Sequence, residues 1–325
     1  MQKTIVILTL KQHQNGVWIT RLVECLEKSK DVTCEVRSLE TWMEDGLVVS
    51  SPCMTTNIAA IINRVSDAAR PPQYKATLAI LGMAQSLGIP IINGPQSYAL
   101  CGNKWCHHML FTQAGLKSPL TITFWNDGSS NCAIEYMNKR IKDMKSEEGC
   151  TLLVKPNAGG FGAGIKRITL PPQDHDITVF EDSVTLLQKY EQPRHNKLYR
   201  VWFLRGKVQC AVERDVQDDN HFTNACSGSC TIQAPPKAWD VPLQVKQELE
   251  EQLLPLLADA HCGSVEFLHS LDSSRMYFDL NLLSTLPIKV TDEDGVWQKE
   301  YNPWMELAEA ILQIIDGRNI SLLEV

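Results

Sequence analysis

The first hundred residues alternate strand-sized apolar runs with helix-spaced ones, and that alternation commits this part of the chain to a parallel sheet. TIVILTL at 4–10 has a buried-strand pattern, and Val17, Leu22, Val23 and Leu26 recur at helical spacing through 17–28. NIAAIINRV at 57–65 predicts another buried strand. A helix over 75–87, stopped by Gly88, leads to a strand at 89–92 that closes on Asn93-Gly94-Pro95. Parallel neighbours need a crossover, and strand–helix–strand order supplies one, so an open parallel α/β domain is expected over residues 1–100.

Beyond residue 100 the pattern changes. Residues 103–113 have helical spacing ended by Gly115, and the polar stretch 126–149 places Lys139, Arg140, Lys142 and Lys145 on a solvated helical face. TLLV at 151–154 opens a second block with antiparallel strand patterns at 184–190, 198–204 and 207–212. A long helical pattern covers 241–261, a closing hairpin pairs 264–268 with 275–280, and an amphipathic helix covers 303–315. At 325 residues the chain exceeds what a single core usually supports. The expected class is mixed α/β and α+β in three subdomains: 1–100, 101–187 with a glycine-rich loop, and 188–325.

Composition excludes several functions. Lys and Arg total 31 against 38 Asp and Glu, a net charge of −7 that opposes a nucleic-acid surface. No run approaches the roughly 20 apolar residues that span a bilayer. The apolar core of the first segment is too short for a signal peptide and lacks a small-residue cleavage site. Eleven scattered cysteines without a C-x-x-C pair predict reduced thiols and a cytoplasmic setting. Cys106-His107-His108 lack metal-ligand spacing, since contiguous residues on a helix point apart, and Cys226 and Cys230 are expected as ordinary loop thiols. No Ser/His/Asp nucleophile set is evident.

Two segments can carry chemistry. In KPNAGGFGAGI at 155–165, glycines 159, 160, 162 and 164 let backbone N–H groups approach an anion, with Lys155 as a fixed charge at the strand end. It is neither a Walker A loop nor a dinucleotide fingerprint; the bland alternative is a glycine-rich hairpin. Near the other end, GSVEFL and MYFDLNLL put Glu266 on one apolar strand and Asp279 and Asn281 on the next. Positions i and i+2 share a strand face, so three oxygen-bearing side chains meet on one surface, a donor set suited to Mg²⁺.

Together these segments resemble the ATP-grasp superfamily, within it the RimK-like carboxylate–amine ligases, over about residues 57–315. The resemblance implies two antiparallel lobes gripping ATP behind an N-terminal parallel-sheet domain. It implies nucleotide contacts from Lys104 in INGPQSYALCGNKW, from Lys155 and from loop glycines Gly159, Gly160 and Gly162. LLQKYEQ resembles the adenine hinge, with Gln188, Lys189 and Tyr190 there and Glu191 on the ribose. Arg200 and Arg214 match arginines on phosphate or acyl-phosphate, Arg64 and Asn224 fall to substrate binding, and Glu266, Asp279 and Asn281 to the metal. The implied cofactors are ATP and Mg²⁺, with Mn²⁺ as a substitute. The implied activity is ADP-forming ligation of a small-molecule carboxylate to an amine or thiol through an acyl-phosphate, amino acids among the substrates. No nucleic-acid or membrane partner is expected; homo-oligomer assembly is compatible.

This sequence also departs from the family. Leu198 stands where an acidic residue usually precedes the strand arginine, Leu282-Leu283-Ser284-Thr285 replaces the common Pro-Gly continuation, and Asp279 stands where Glu is commoner. These mark a poorly characterised subgroup. A catalytically weak ATP-binding regulatory protein of the same fold, or an ATP-dependent modifier of peptide or protein tails, stays open beside the ligase.

Overall fold

The computed structural model describes residues 3–44, 58–66, 71–128, 133–143, 149–159, 164–172, 178–216, 237–284 and 302–316. The first unit contains β1 (Lys3–Thr9), α1 (Val17–Leu26), β2 (Val32–Ser38), α2 (Leu39–Glu44), β3 (Ile58–Asn63), α3 (Pro71–Ser86) and β4 (Ile91–Ile92). Its strands form a parallel sheet in the order β2-β1-β3-β4. Ile5, Val6, Ile7 and Leu8 are all fully buried because β1 is covered on both faces, which is why its sequence runs apolar without alternating. β2 did not stand out in the sequence: VTCEVRS is a half-buried edge strand with polar residues along it.

Next come α4 (Pro95–Cys101), α5 (Lys104–Gln113), β5 (Thr121–Trp125), α6 (Ala133–Asp143), β6 (Thr151–Pro156), β7 (Lys166–Thr169) and β8 (Val184–Lys189). The four strands make an antiparallel sheet ordered β5-β8-β6-β7. Phe124, Leu152, Val154, Ile168 and Leu187 bury one face of it against Met137 and Ile141 of α6. β8 runs through residues 187 and 188 and pairs on both sides within this sheet.

The third sheet, β11-β10-β9-β12-β13, uses β9 (Lys197–Leu204), β10 (Lys207–Asp215), β11 (Lys237–Ala238), β12 (Cys262–His269) and β13 (Arg275–Asn281). The single helix expected over 241–261 is instead α7 (Leu243–Gln247), wider π turns over Glu248–Leu253 and a tight turn at Leu254–Leu256. Pro255 explains the break: it has no N–H to donate, and its ring clashes with the carbonyl one turn back.

α8 (Pro303–Ile315) returns to the first unit. Its Trp304, Leu307, Ala308 and Ile311 pack with Ile5, Ile7, Trp18 and Leu22. Asn302 caps it by accepting the N–H groups of Trp304 and Met305, and Pro303 occupies the first turn, where a missing donor costs nothing.

Asn93 ties the first unit to the third sheet. Its amide donates to the carbonyls of Cys262 and Leu282, both at 2.9 Å, and its oxygen accepts the N–H groups of His261 and Cys262 at 2.7 and 3.0 Å. Asp259 receives the first N–H groups of α4 from Gln96 and Ser97, placing a carboxylate at the positive helix end. Among the described residues no helix is long and apolar enough to cross a membrane.

Candidate active site

Strand register builds the first wall of the site. Arg200 on β9 pairs with Glu266 on β12, which pairs with Asp279 on β13, so three charged side chains form a row on one face of the third sheet. Arg200 donates to Glu266 through both Nε and a terminal nitrogen, and both side chains are buried. Arg214 lies two residues beyond Val212, the partner of Arg200 on β10, and therefore on the same face. Asn281 sits two residues from Asp279, opposite Ser264, and its oxygen accepts the Leu283 N–H at 2.8 Å.

A bulge sharpens this row. Glu266 pairs with Asp279, but its neighbour Phe267 pairs with Tyr277, leaving Phe278 as the extra residue. Tyr277 turns into the core beside Phe111 and Phe267, while Phe278 and Asp279 are both partly exposed. The Phe278 ring lies 5.9 Å from Lys155 Nζ.

The opposing wall is the face of the middle sheet turned away from α6, which carries Lys155, Gln188, Tyr190 and Arg167. Lys155 donates to Gln188 Oε1, one strand over. Asn157 links this sheet to α5: its carbonyl accepts the Lys104 N–H at 3.1 Å, and its side chain bonds Asn103 and Asp182. Lys104 in turn donates to the Gly159 carbonyl. Gly159 has φ +113°, a conformation that suits glycine and disfavours side chains.

α5 closes one end with two residues that the sequence reading set aside. His107 Nδ1 lies 3.3 Å from both Asp279 Oδ1 and the Leu280 N–H, and its Nε2 donates to the Cys101 carbonyl at 2.8 Å. His108 Nε2 lies 3.0 Å from Gln188 Nε2. Adjacent helical residues diverge by about 100°, so one histidine serves the third sheet and the other the middle sheet. Lys104, His107, His108 and Phe111 share the i, i+3, i+4, i+7 stripe that faces the core, the pattern that could have found them.

No family model matches the chain. N-acetylaspartylglutamate synthase A of Mus musculus is 29% identical over 196 residues, 58% of this chain and 48% of that protein. The match thus spans about half the length of the relative. The crystal structure of the D-cycloserine synthetase DcsG superposes with a TM-score of 0.68 at 17% identity, covering 96% of this chain and 99% of that one. The ATP-grasp ligase PsnB, solved with a minimal precursor, gives 0.64 at 15% identity over 96% and 99%. The chain has the ATP-grasp fold.

The charged row lies on the third sheet and the lysine face on the middle sheet, both antiparallel. Burial lowers the Lys155 ammonium to about 8, Lys104 adds to the effect and Asp279 opposes it. Burial alone would raise the Asp279 carboxyl, but the hydrogen bond and charge of His107, with Lys104 and Arg200, hold it below the usual carboxylate range. His108 falls to about 3, chiefly by burial and then by the charges of Lys155 and His107, against Asp279.

The remaining positions that the resemblance singles out are more dispersed. At the end of β8, the Lys189 and Tyr190 N–H groups bond the Leu120 and Thr151 carbonyls, and Lys189 pairs with Glu191 at 3.5 Å. Arg167 lies 4.0 Å over the Tyr190 ring. Arg64 follows β3, with its guanidinium 3.7 Å over Trp18 and its charge felt by the half-buried Cys262, four residues along β12 from Glu266. Gly160, Gly162 and Asn224 lie outside the described residues.

Proposed function

We propose that the protein is an ATP- and Mg²⁺-dependent ligase that joins a carboxylate to an amine or thiol and releases ADP and phosphate. The observation that carries this reading is the meeting of Lys104, Lys155 and Arg200 with Asp279 between two ATP-grasp lobes. Each of the three cations interacts electrostatically with that one carboxylate. A carboxylate oxygen leaves poorly and phosphate leaves well, so transfer of the γ-phosphoryl group to the substrate carboxylate prepares it for attack. The chain's part is positioning and charge neutralisation. Lys104 and Lys155 hold nucleotide phosphates, with the Gln188 amide beside Lys155; Gly159, Gly160 and Gly162 cover them, and Lys189, Tyr190 and Glu191 line the base and ribose. Arg200 and Arg214 neutralise the acyl-phosphate, and Arg64 and Asn224 orient substrate.

The donor set fits a hard divalent cation. Glu266, Asp279 and Asn281 offer oxygen atoms from adjacent strands, and Asp279 stays ionised across the physiological range. It is two carboxylates and an amide; among the described residues no group of three or more His, Cys, Asp or Glu side chains is arranged to hold a metal ion. Mg²⁺ held there, or Mn²⁺ in its place, would screen charge on the transferred phosphoryl group.

The names of N-acetylaspartylglutamate synthase A and D-cycloserine synthetase support small amino-acid-like substrates. A cytoplasmic setting agrees with the seven described cysteines, all of them thiols outside any disulfide. The test is ADP release across paired pools of carboxylates and amines. The ligase reading requires release that depends on both pools; nucleotide binding with no such release would leave a regulatory nucleotide-binding protein.

A further inference from the structure

We infer that His108 is a positioning residue for the nucleotide: it fixes the side-chain amide of Gln188 so that its oxygen faces Lys155. The inference rests on the reading of Lys155 as a nucleotide lysine.

The polarity of the network follows from donor and acceptor counts. An ammonium has only donors, so the Gln188 atom that meets Lys155 is the oxygen. Gln188 Nε2 then supplies both remaining contacts, to His108 Nε2 at 3.0 Å and to Thr121 Oγ1 at 2.9 Å. Thr121 accepts there and its own hydroxyl donates to the Pro119 carbonyl at 2.9 Å. His108 Nε2 must therefore be the unprotonated nitrogen, and Nδ1–H donates to Ser118 Oγ. A protonated His108 would set N–H against N–H₂, and burial beside Lys155 keeps the ring neutral. Only one orientation of the amide satisfies every partner. Turning it over would place two donors against Lys155 and two acceptors together at His108, a costly arrangement away from water.

The same contact spans two bodies of the fold. His108 belongs to α5, whose Leu110 and Phe111 are anchored in the core of the third sheet, whereas Gln188 and Lys155 belong to the middle sheet. Through His108, the direction of the lysine in one lobe is set by a helix anchored against the other.

The experiment is calorimetric binding of ADP and of adenosine, each without metal, to the full chain. The ratio of the two affinities isolates the phosphate contacts. His108→Phe should weaken ADP about tenfold and leave adenosine unchanged. His108→Gln, which returns an acceptor near the position of Nε2, should restore most of the ratio. In a Gln188→Met background, His108→Phe should have no further effect, because the histidine acts only through the glutamine. His108→Leu serves as the second acceptor-free variant if the phenylalanine does not fold. An unchanged ADP ratio for the acceptor-free variants, an equal loss of adenosine binding, or a full additional loss in the Gln188→Met background would overturn the inference. Lys155→Met separates the two readings. If it leaves ADP binding intact, the nucleotide reading fails and takes this one with it. If it weakens ADP while His108→Phe does not, only the role of His108 fails.

Discussion

Arg200 and Glu266 stand opposite each other on β9 and β12 and form an ion pair whose side chains are only 4% and 7% exposed. One partner is assigned to phosphate and the other to metal, so each tethers the other in the absence of substrate. Removing either alone strands a buried charge, which costs about 3–5 kcal/mol. Arg200→Met and Glu266→Gln should each lower unfolding stability by that order. The double variant Arg200→Met/Glu266→Gln should lose less than the sum of the two single changes. Urea denaturation of the three proteins decides this; additive losses would show that the pair is not coupled.

Lys155 gives a pH signature. It titrates at about 8 in the fold against an ordinary 10.5, so across that interval the unfolded chain binds more protons than the folded one. Its contribution to stability therefore rises with pH between about 8 and 10.5, having been a full cost below 8. Denaturation midpoints through this range should show a rising component that disappears in Lys155→Met. ADP binding to the free protein should weaken over the same interval, as the ammonium loses its charge.

Metal binding and acyl-phosphate stabilisation make different kinetic demands. Asp279→Asn weakens the hold on the metal, so raising Mg²⁺ should recover part of the turnover by mass action. Arg214→Ala should lower kcat and kcat/KM together, with nucleotide binding near normal, the behaviour of a contact made mainly in the transition state. Added Mg²⁺ should leave that loss unchanged. Equal Mg²⁺ responses in the two variants would refute the division of roles.

Asn93 predicts a stability effect remote from the chemistry. Asn93→Ala leaves the His261 and Cys262 N–H groups and the Leu282 carbonyl without this partner. At about 1–3 kcal/mol for each orphaned buried group, the total loss should be at least about 2 kcal/mol. Chemical denaturation measures it, and a loss under about 0.5 kcal/mol would mean that water replaces the amide.

Elements buried on both faces, or amphipathic along one, were legible in the sequence. Ile5–Leu8 announced β1, and the i, i+2 spacing of Asp279 and Asn281 announced a shared strand face. β2 escaped because an edge strand with polar residues has no strong period. The bulge at Phe278 escaped because pairing register is set by the partner strand. Pro255 was visible within 241–261, but the apolar period there survives the change from α to π turns. His107 and His108 have no metal-ligand spacing, so the sequence alone gives them no role. Their roles depend on two sheets distant in sequence, which only the fold brings to one helix.

The central claim is that a carboxylate is activated by phosphorylation in this site. It is tested most directly by incubating the protein with ATP, Mg²⁺, a carboxylate pool and hydroxylamine as a general nucleophile, and measuring hydroxamate and ADP together. The account predicts carboxylate-dependent hydroxamate in step with ADP, falling sharply in Arg214→Ala and Lys155→Met. Tight ATP binding without carboxylate-dependent ADP or hydroxamate, across pools that include amino acids and their N-acyl derivatives, would contradict it.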